Sequence, residues 1–350
     1  MGESLNPNPT PSSVPKLQTR PKAAGILIVG GLIVLAVSFI VSISLGAANI
    51  KFLTVWEAIF RFNADETSHQ IIREIRLPRV LMGGLVGAAF AASGSIMQGL
   101  TRNPLADPGL LGINAGAGFA LTICFALYPG LSFNMIILIS FLGAAAGALL
   151  VFGIGAAFRG GMSPVRLALA GSAVAALLSS LSEWISLQFK IGQNIAAWYN
   201  GGVAGAKWDQ LQYMWPWVAI GLIGAIAISS QITMLSLGDE VAVGLGVRTG
   251  LFKGIGMLLV LLLAGTSVAA AGSITFIGLV VPHIARSLVG VHYRWIIPSS
   301  AILGSLLLVV ADIIARIINR PFETSVSVII SIIGVPFFIY LIRRAKKEVA

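Results

Sequence analysis

The chain has 350 residues, of which 57% are hydrophobic and only 10% are charged, and its mean hydropathy is +0.92. Soluble domains carry about 25% charged residues, so this composition excludes a soluble protein and predicts an all-α protein that crosses a membrane many times. The single cysteine, Cys124, excludes an internal disulfide. The net charge of +10 suits loops that face anionic lipid, and we do not expect nucleic acid as a partner.

Ten apolar segments follow a polar N-terminal stretch. Residues 1–22 are rich in Pro, Ser and Asn and predict a disordered tail. One transmembrane domain then covers 23–343, and a short tail follows at 344–350. A helix needs about 20 residues to cross a bilayer core of about 30 Å, so the eighth segment is short and predicts a partly re-entrant span. The segments lie near 24–47, 78–100, 109–128, 133–157, 165–188, 211–232, 250–270, 274–290, 295–317 and 324–342.

The distribution of basic residues predicts the orientation of the chain. With the N-terminus inside, most of the 23 lysines and arginines fall on the cytoplasmic side, which places both termini in the cytoplasm. A second group of arginines remains on the outer side, among them Arg76, Arg79 and Arg316. These outer arginines depart from the usual bias and need an explanation of their own.

Polar residues within the apolar segments are candidates for lining a route across the membrane. Ser93 and Gln98 lie in the second segment, and hydrogen bonding between helices is the alternative role for such residues. Asp312 in the ninth segment is a carboxylate within a membrane span, so it must either pair with a positive charge or contact water. Arg316 follows four residues later on the same helical face, so we expect a local ion pair between them.

The loop that follows the second segment has a defined shape. Pro104 and Pro108 break the helix, and each holds the residue before it in an extended conformation. Those residues, Asn103 and Asp107, have short side chains that bond readily to backbone N–H groups. The minimum interpretation is a shaped loop; the functional one is a gate at the inner mouth, or a contact with a cytoplasmic partner.

Residues 237–248 form a polar interruption between two long apolar runs. Asp239 and Glu240 stand where carboxylates favour a helix start, and Gly246 permits the turn that ends it. The segment predicts a short surface helix whose apolar residues, Val241, Ala242 and Leu245, face outward. A capped helix that lies on lipid is the alternative, but such helices favour basic residues, and 239–247 has none.

Catalytic motifs are absent from the sequence. No Gly-Lys dipeptide occurs, so there is no phosphate-binding loop of the GxxxxGK[ST] type. The three histidines form no metal-binding motif, and we expect no cofactor and no bound metal. The chain is therefore not expected to be an enzyme, and any ATP used in its function is hydrolysed by another polypeptide.

Three segments, together with the interruption at 237–248, resemble a known family. They are residues 76–112, with Arg76–Arg79, Ser93, Gln98 and Arg102–Gly112; residues 272–286; and a last segment with Asp312, Arg316 and Gly334–Phe338. In this order and spacing they resemble the permease subunits of bacterial ATP-binding-cassette importers for ferric siderophores, haem and cobalamin. The resemblance implies about ten transmembrane helices, a second permease subunit that is identical or paralogous, two cytoplasmic ATP-binding subunits and an extracytoplasmic substrate-binding protein.

The resemblance also implies roles for individual residues. It makes 237–248 the coupling helix that contacts the ATPase, through Gly238, Asp239, Glu240, Ala242, Leu245 and Gly246. It matches Arg76, Arg79 and Arg316 to arginines that dock the binding protein. Ser93, Gln98, Asn103, Pro104, Asp107 and Pro108 are the candidates for pathway and gate.

Two other classes of function fit the sequence less well. A secondary transporter driven by an ion gradient normally has several buried acids, whereas Asp312 is nearly alone here. A membrane-bound enzyme lacks a catalytic constellation. We therefore expect the bacterial cell membrane as the location and a ferric siderophore as the substrate, with cobalamin and haem as alternatives.

Overall fold

A computed structural model describes residues 19–45, 50–157, 164–193, 195–196, 202–319 and 322–349. Most of the predicted N-terminal tail lies outside these residues. Within them the chain is helical, and the one isolated β-bridge, between Thr19 and Gly290, belongs to no strand. The predicted all-α class is confirmed.

Each of the ten predicted apolar segments is helical, and a break at Ile228 divides the sixth into two helices. A π-helical turn at Ile72–Arg76 leads into the second segment, and a 3-10 turn at Pro108–Leu111 precedes the third. In chain order the α-helices are α1 (Pro21–Ser44), α2 (Phe52–Phe60), α3 (Thr67–Ile71), α4 (Leu77–Thr101), α5 (Ile113–Leu127), α6 (Phe133–Ala157), α7 (Pro164–Gln188), α8 (Trp208–Ala227), α9 (Ser229–Ser236), α10 (Asp239–Gly244), α11 (Thr249–Ala271), α12 (Ile277–Val289), α13 (Tyr293–Ile317) and α14 (Val326–Val349).

The helices differ in their ability to span a bilayer. Among the described residues, seven helices are long and apolar enough to cross, and the pair α8–α9, bent by 56°, is either a broken eighth span or a re-entrant segment. The apolar helices α5 and α12 have 15 and 13 residues, which makes them about 20 Å long against a bilayer core of about 30 Å. The predicted shortness of the eighth segment is thus confirmed. A total of ten crossings remains a prediction.

Helix α4 is the buried centre of the bundle. It packs against α8, α11, α12 and α13, and 89% of its most apolar stretch is buried, compared with 11% for α1. Glycines permit the closest approaches: a side-chain carbon on Gly87 would lie 2.2 Å from the carbonyl oxygen of Gly304, and one on Gly94 would lie 2.0 Å from that of Gly278. Small residues at helix crossings allow close backbone contact, which contributes to association in a lipid bilayer, where the hydrophobic effect does not drive helices together.

Both ends of α4 carry charged groups. Arg79 lies in its first turn and Arg102 directly follows its last residue, so the two are about 35 Å apart along the helix. The end of α1 and the end of α13 meet the first group, whereas α10 and the start of α11 meet the second. The candidate functional residues therefore form two separate sites.

Candidate functional sites

Helix α10 has the beginning and the end that its sequence predicts. Gly238 precedes it with a φ of +127°, a conformation that glycine adopts without strain. At the other end Gly246 has a φ of +81°, and its N–H donates to the carbonyl oxygen of Val243 at 2.9 Å. The N–H of Val247 donates to that of Ala242, also at 2.9 Å. These two bonds are the Schellman arrangement, which fixes where the helix stops.

The exposed face of α10 differs in one residue from the prediction. Val241 and Leu245 lie four residues apart and are 48% and 59% exposed, as expected. Ala242 is fully buried, so its predicted place on the outward face is wrong. A helix of six residues has one side against the bundle, and Ala242 packs there as part of the main hydrophobic core. Val243, which is 60% exposed, is the third outward apolar residue.

Asp239 connects α10 to two other elements. One carboxylate oxygen accepts a hydrogen bond from Lys253 Nζ in α11 at 2.6 Å, and it lies 3.9 Å from Arg102 Nη2. The Lys253 ammonium, aided by the charge of Arg102, holds the pKa of Asp239 below its ordinary value. The carboxylate is thus ionised at neutral pH. Glu240 is exposed, beside the N–H groups of the first turn, where a negative charge is favoured.

The loop between α4 and α5 forms the predicted turns. Arg102 ends α4 with a φ of +52°, an unusual value for a residue other than glycine. The N–H of Leu105 donates to Asn103 Oδ1 at 2.9 Å, and the N–H of Gly109 donates to Asp107 Oδ1 at 2.7 Å. Asp107 is extended before Pro108, with φ −137° and ψ +137°. The predicted backbone bonding by Asn103 and Asp107 is confirmed.

This loop also reaches the start of α12. Asp107 is only 4% exposed, and a side-chain carbon on Gly278 would lie 2.8 Å from its Oδ2 atom. Gln98 Nε2 donates to the carbonyl oxygens of Gly278 and Leu279, at 3.3 Å each. The contact of α4, the loop and α12 therefore rests on Gly278, where any larger residue would displace Asp107.

The pathway candidates in α4 are enclosed. Ser93 and Gln98 are buried, and Ser93 Oγ donates to the carbonyl oxygen of Phe90 in its own helix. Their contacts fit the alternative role, which is hydrogen bonding within and between helices. By contrast, Ser172 and Ser179 on α7 lie seven residues apart on one exposed helical face. Pro104, in the loop, is exposed as well.

At the opposite end of α4, a buried carboxylate binds two arginines. Asp312 accepts hydrogen bonds from Arg79 Nη2 at 2.8 Å and Arg79 Nε at 3.1 Å, and its other oxygen lies 3.1 Å from Arg316 Nη2. The predicted ion pair of Asp312 with Arg316 is confirmed. Arg79 Nη1 also donates to Glu323 Oε1 at 2.8 Å, so this arginine holds two acids. Glu323 is the exposed member of the group, at 49%.

Arg76 and Arg316 cap the end of α1. Arg76 Nη1 donates to the carbonyl oxygens of Ile43 and Ser44, and Arg316 Nη1 donates to those of Ser42 and Leu45, at 2.5–3.2 Å. The last carbonyls of a helix lack partners within it, and cations are favoured at that end. Arg76, Arg79 and Arg316 are consequently only 7–8% exposed. The sequence signals their charge but not this intramolecular partner.

The architecture defines a class of protein: a polytopic helical membrane protein with a short surface helix at one end and a charged cluster at the other. A family model described as the FecCD transport family matches residues 34–344. The "Iron(3+)-hydroxamate import system permease protein FhuB" of Bacillus subtilis (strain 168) is 52% identical over 94% of this chain and 86% of its own. The "Iron(3+)-hydroxamate import system permease protein FhuG" of the same strain is 35% identical over 89% of this chain and 95% of its own.

A solved structure has the same fold. It is an inward-facing conformation of a metal-chelate type ABC transporter, with a TM-score of 0.76 and 26% identity, covering 93% of this chain and 99% of that one. The chain belongs to the FecCD transport family. It is a transport permease, as the sequence motifs indicated. Members of this family act in transport, which implies that the chain is not itself an enzyme.

We predict that the two acids bound by Arg79 contribute very differently to stability. Asp312→Asn leaves two buried guanidinium groups without their shared counter-charge, and breaking a buried pair costs about 3–5 kcal/mol. Glu323→Gln removes a half-exposed acid at the same 2.8 Å distance and costs at most about 1 kcal/mol. Thermal unfolding of the detergent-solubilised permease should separate the two variants. Equal losses would mean that Asp312 does not hold α4 to α13.

Proposed function

We propose that this chain is the membrane-spanning subunit of an ATP-driven importer that carries a ferric hydroxamate siderophore into a bacterial cell. The observation that carries the proposal is the 52% identity, over 94% of the chain, to a permease whose name specifies iron(3+)-hydroxamate import. Ferric chelates are too large to pass between packed helices, so the substrate crosses between this subunit and a second permease. Ser172 and Ser179, on the exposed face of α7, are our candidates for the lining.

The second permease is a paralogue in our proposal. The iron(3+)-hydroxamate system of Bacillus subtilis includes two different permease proteins, and this chain is 52% identical to one and 35% identical to the other. The higher identity to FhuB supports a heterodimer in which this chain takes the position that corresponds to FhuB. A transporter built from two identical copies would not need a second, different permease.

A cytoplasmic ATPase binds α10 in our proposal. Val241 and Leu245, four residues apart, form an exposed apolar face on a helix that is otherwise anchored to the bundle, and Val243 is exposed as well. Because the sequence has no phosphate-binding loop, ATP is hydrolysed by that partner. In this proposal α10, Arg102 and both chain termini lie on the cytoplasmic side.

An extracytoplasmic binding protein docks at the opposite end. Arg79 and Arg316 pair with the carboxylates of Asp312 and Glu323, and Arg76 binds the end of α1 beside them, so three arginines are grouped around these two acids in the part of the chain that the structure describes. Burial of the arginines means that acids on the binding protein reach them only by exchange with Glu323 or with the carbonyls that end α1. Arginine suits such exchange, since its planar fork binds carbonyls and carboxylates alike.

The first prediction of this proposal concerns the substrate. A deletion strain that expresses the chain with its partner subunits should regain uptake of radiolabelled ferric hydroxamate. Ferric citrate, haem and cobalamin serve as matched probes and should give at least tenfold lower rates. Preferred uptake of any of these three would reject the hydroxamate assignment while leaving the family intact.

The second prediction concerns the ATPase contact. Leu245→Asp places a charge in an apolar protein interface, where it has no partner and its burial is costly. Uptake should fall at least tenfold, and the ATPase should no longer co-purify in stoichiometric amounts, while the variant still inserts in the membrane. Leu245→Met keeps the apolar volume and is the control. Normal uptake by Leu245→Asp would remove α10 from the contact.

The third prediction concerns docking. Glu323→Gln removes the exposed acid from Arg79 and leaves all three arginines in place, so an acidic binding protein should associate several-fold faster at low salt. The effect should vanish at high salt, where exposed charges are screened. Surface plasmon resonance on the reconstituted permease would measure this association rate at low and high salt. Unchanged association at low salt would place docking elsewhere.

A further inference from the structure

The loop between α4 and α5 is stiff for a connecting segment. Over residues 102–109, here called the strut, Pro104 and Pro108 each fix their φ angle. Asn103 and Asp107 each close a turn through a side-chain bond to a backbone N–H two residues ahead, at 2.9 and 2.7 Å. A backbone bond from Ala106 to Asn103 adds a third constraint. A segment with these constraints transmits displacement instead of absorbing it.

One end of the strut is attached to α10. Arg102 lies within ion-pair distance of Asp239, the first residue of α10, and a side-chain carbon on Gly238 would be 3.7 Å from Arg102 Nη1. Lys253 shares the same carboxylate oxygen and orients it from α11. Arg102 and Asp239 are both about half exposed, so a substitution at either position leaves the packed core intact.

The other end is attached to α12. Asp107 is buried with one oxygen against Gly278, at the N-terminal end of a helix, where a carboxylate is favoured. Leu105, between the two ends, packs against a small cluster that contains Leu279 and Val280 of the same helix. The strut thus bridges the surface helix and the beginning of α12.

We propose that the strut is a mechanical link that passes movement of α10 to α12, with Asp239 and Asp107 as the positioning residues at its two ends. The inference rests on the proposed contact of α10 with an ATPase. When the partner displaces α10, Asp239 displaces Arg102, and Asp107 carries the displacement to Gly278 and the helix behind it. Loss of either attachment lets α10 move without moving α12.

The test uses the complete transporter, with its ATPase subunits and binding protein, in liposomes. The measured quantity is the amount of ferric hydroxamate imported per ATP hydrolysed. Asp239→Asn and Arg102→Gln should each lower this ratio at least threefold. Arg102→Gln, whose position lies outside α10, should do so without lowering the amount of assembled complex or its basal ATP hydrolysis. The double variant should be no worse than either single one, because both changes remove the same contact. Asp107→Asn should lower the ratio as well.

A control variant isolates the effect of the pair from that of surface charge. Arg294→Gln removes an exposed arginine at the start of α13 and should leave the ratio unchanged. The guanidinium of Arg294 lies 5.7 Å from the centre of the Trp295 ring. Additive losses in the Asp239 and Arg102 double variant would overturn the link, as would a fall in complex yield with a normal ratio. Asp239 and Arg102 are both exposed enough that their variants fold even where Asp107→Asn does not.

The failure of this inference is distinct from failure of the proposed function. If Leu245→Asp abolishes import while Asp239→Asn and Arg102→Gln keep a normal ratio, α10 binds the ATPase but the strut does not transmit its movement. If Leu245→Asp also imports normally, the contact with the ATPase is itself wrong, and the inference falls with it.

Discussion

Close approach of backbones around α4 is the constraint on which the rest of the structure depends. Gly87 against Gly304 and Gly94 against Gly278 leave no space for a side-chain carbon, so α13 and α12 lie directly on α4. In a bilayer, dispersion contact and hydrogen bonds between helices replace the hydrophobic effect as the source of association. The two charged sites are at the ends of this one helix, and their separation follows from its length.

The two sites use charge in opposite ways. Around Asp312 the ion pairs are buried, and removal of one member leaves the others without compensation, so the group behaves as a fixed joint. Around Asp239 the three charges are 39–49% exposed, and water compensates each one when a pair opens. The charged group where α1, α4 and α13 meet is thus largely buried, and the one where α10 meets the loop is exposed to solvent.

Local features of the fold could be predicted from the sequence, and features that depend on distant contacts could not. The ten apolar segments, the end of α10 at Gly246 and the turns at Asn103 and Asp107 follow from periodicity and residue type within a few positions. The pairing of Arg79 with Asp312 spans 233 residues, and no local pattern encodes it. Ala242 was misplaced for the same reason, since only packing against the bundle decides which side of a six-residue helix is buried.

The position of α1 has a consequence for synthesis of the protein. This helix precedes all the other described helices in the chain, yet its main neighbour is α13, and the guanidinium of Arg316 that caps its end lies more than 270 residues later in the chain. It must therefore wait in the membrane, surrounded by lipid, while nearly all of the other helices are inserted. Only 11% of its most apolar stretch is buried even in the complete bundle, so α1 is stable in contact with lipid before α13 is present. The cap that Arg316 supplies can thus form only after α13 has been made, whereas Arg76 lies only 33 residues beyond Ile43 and is available much earlier.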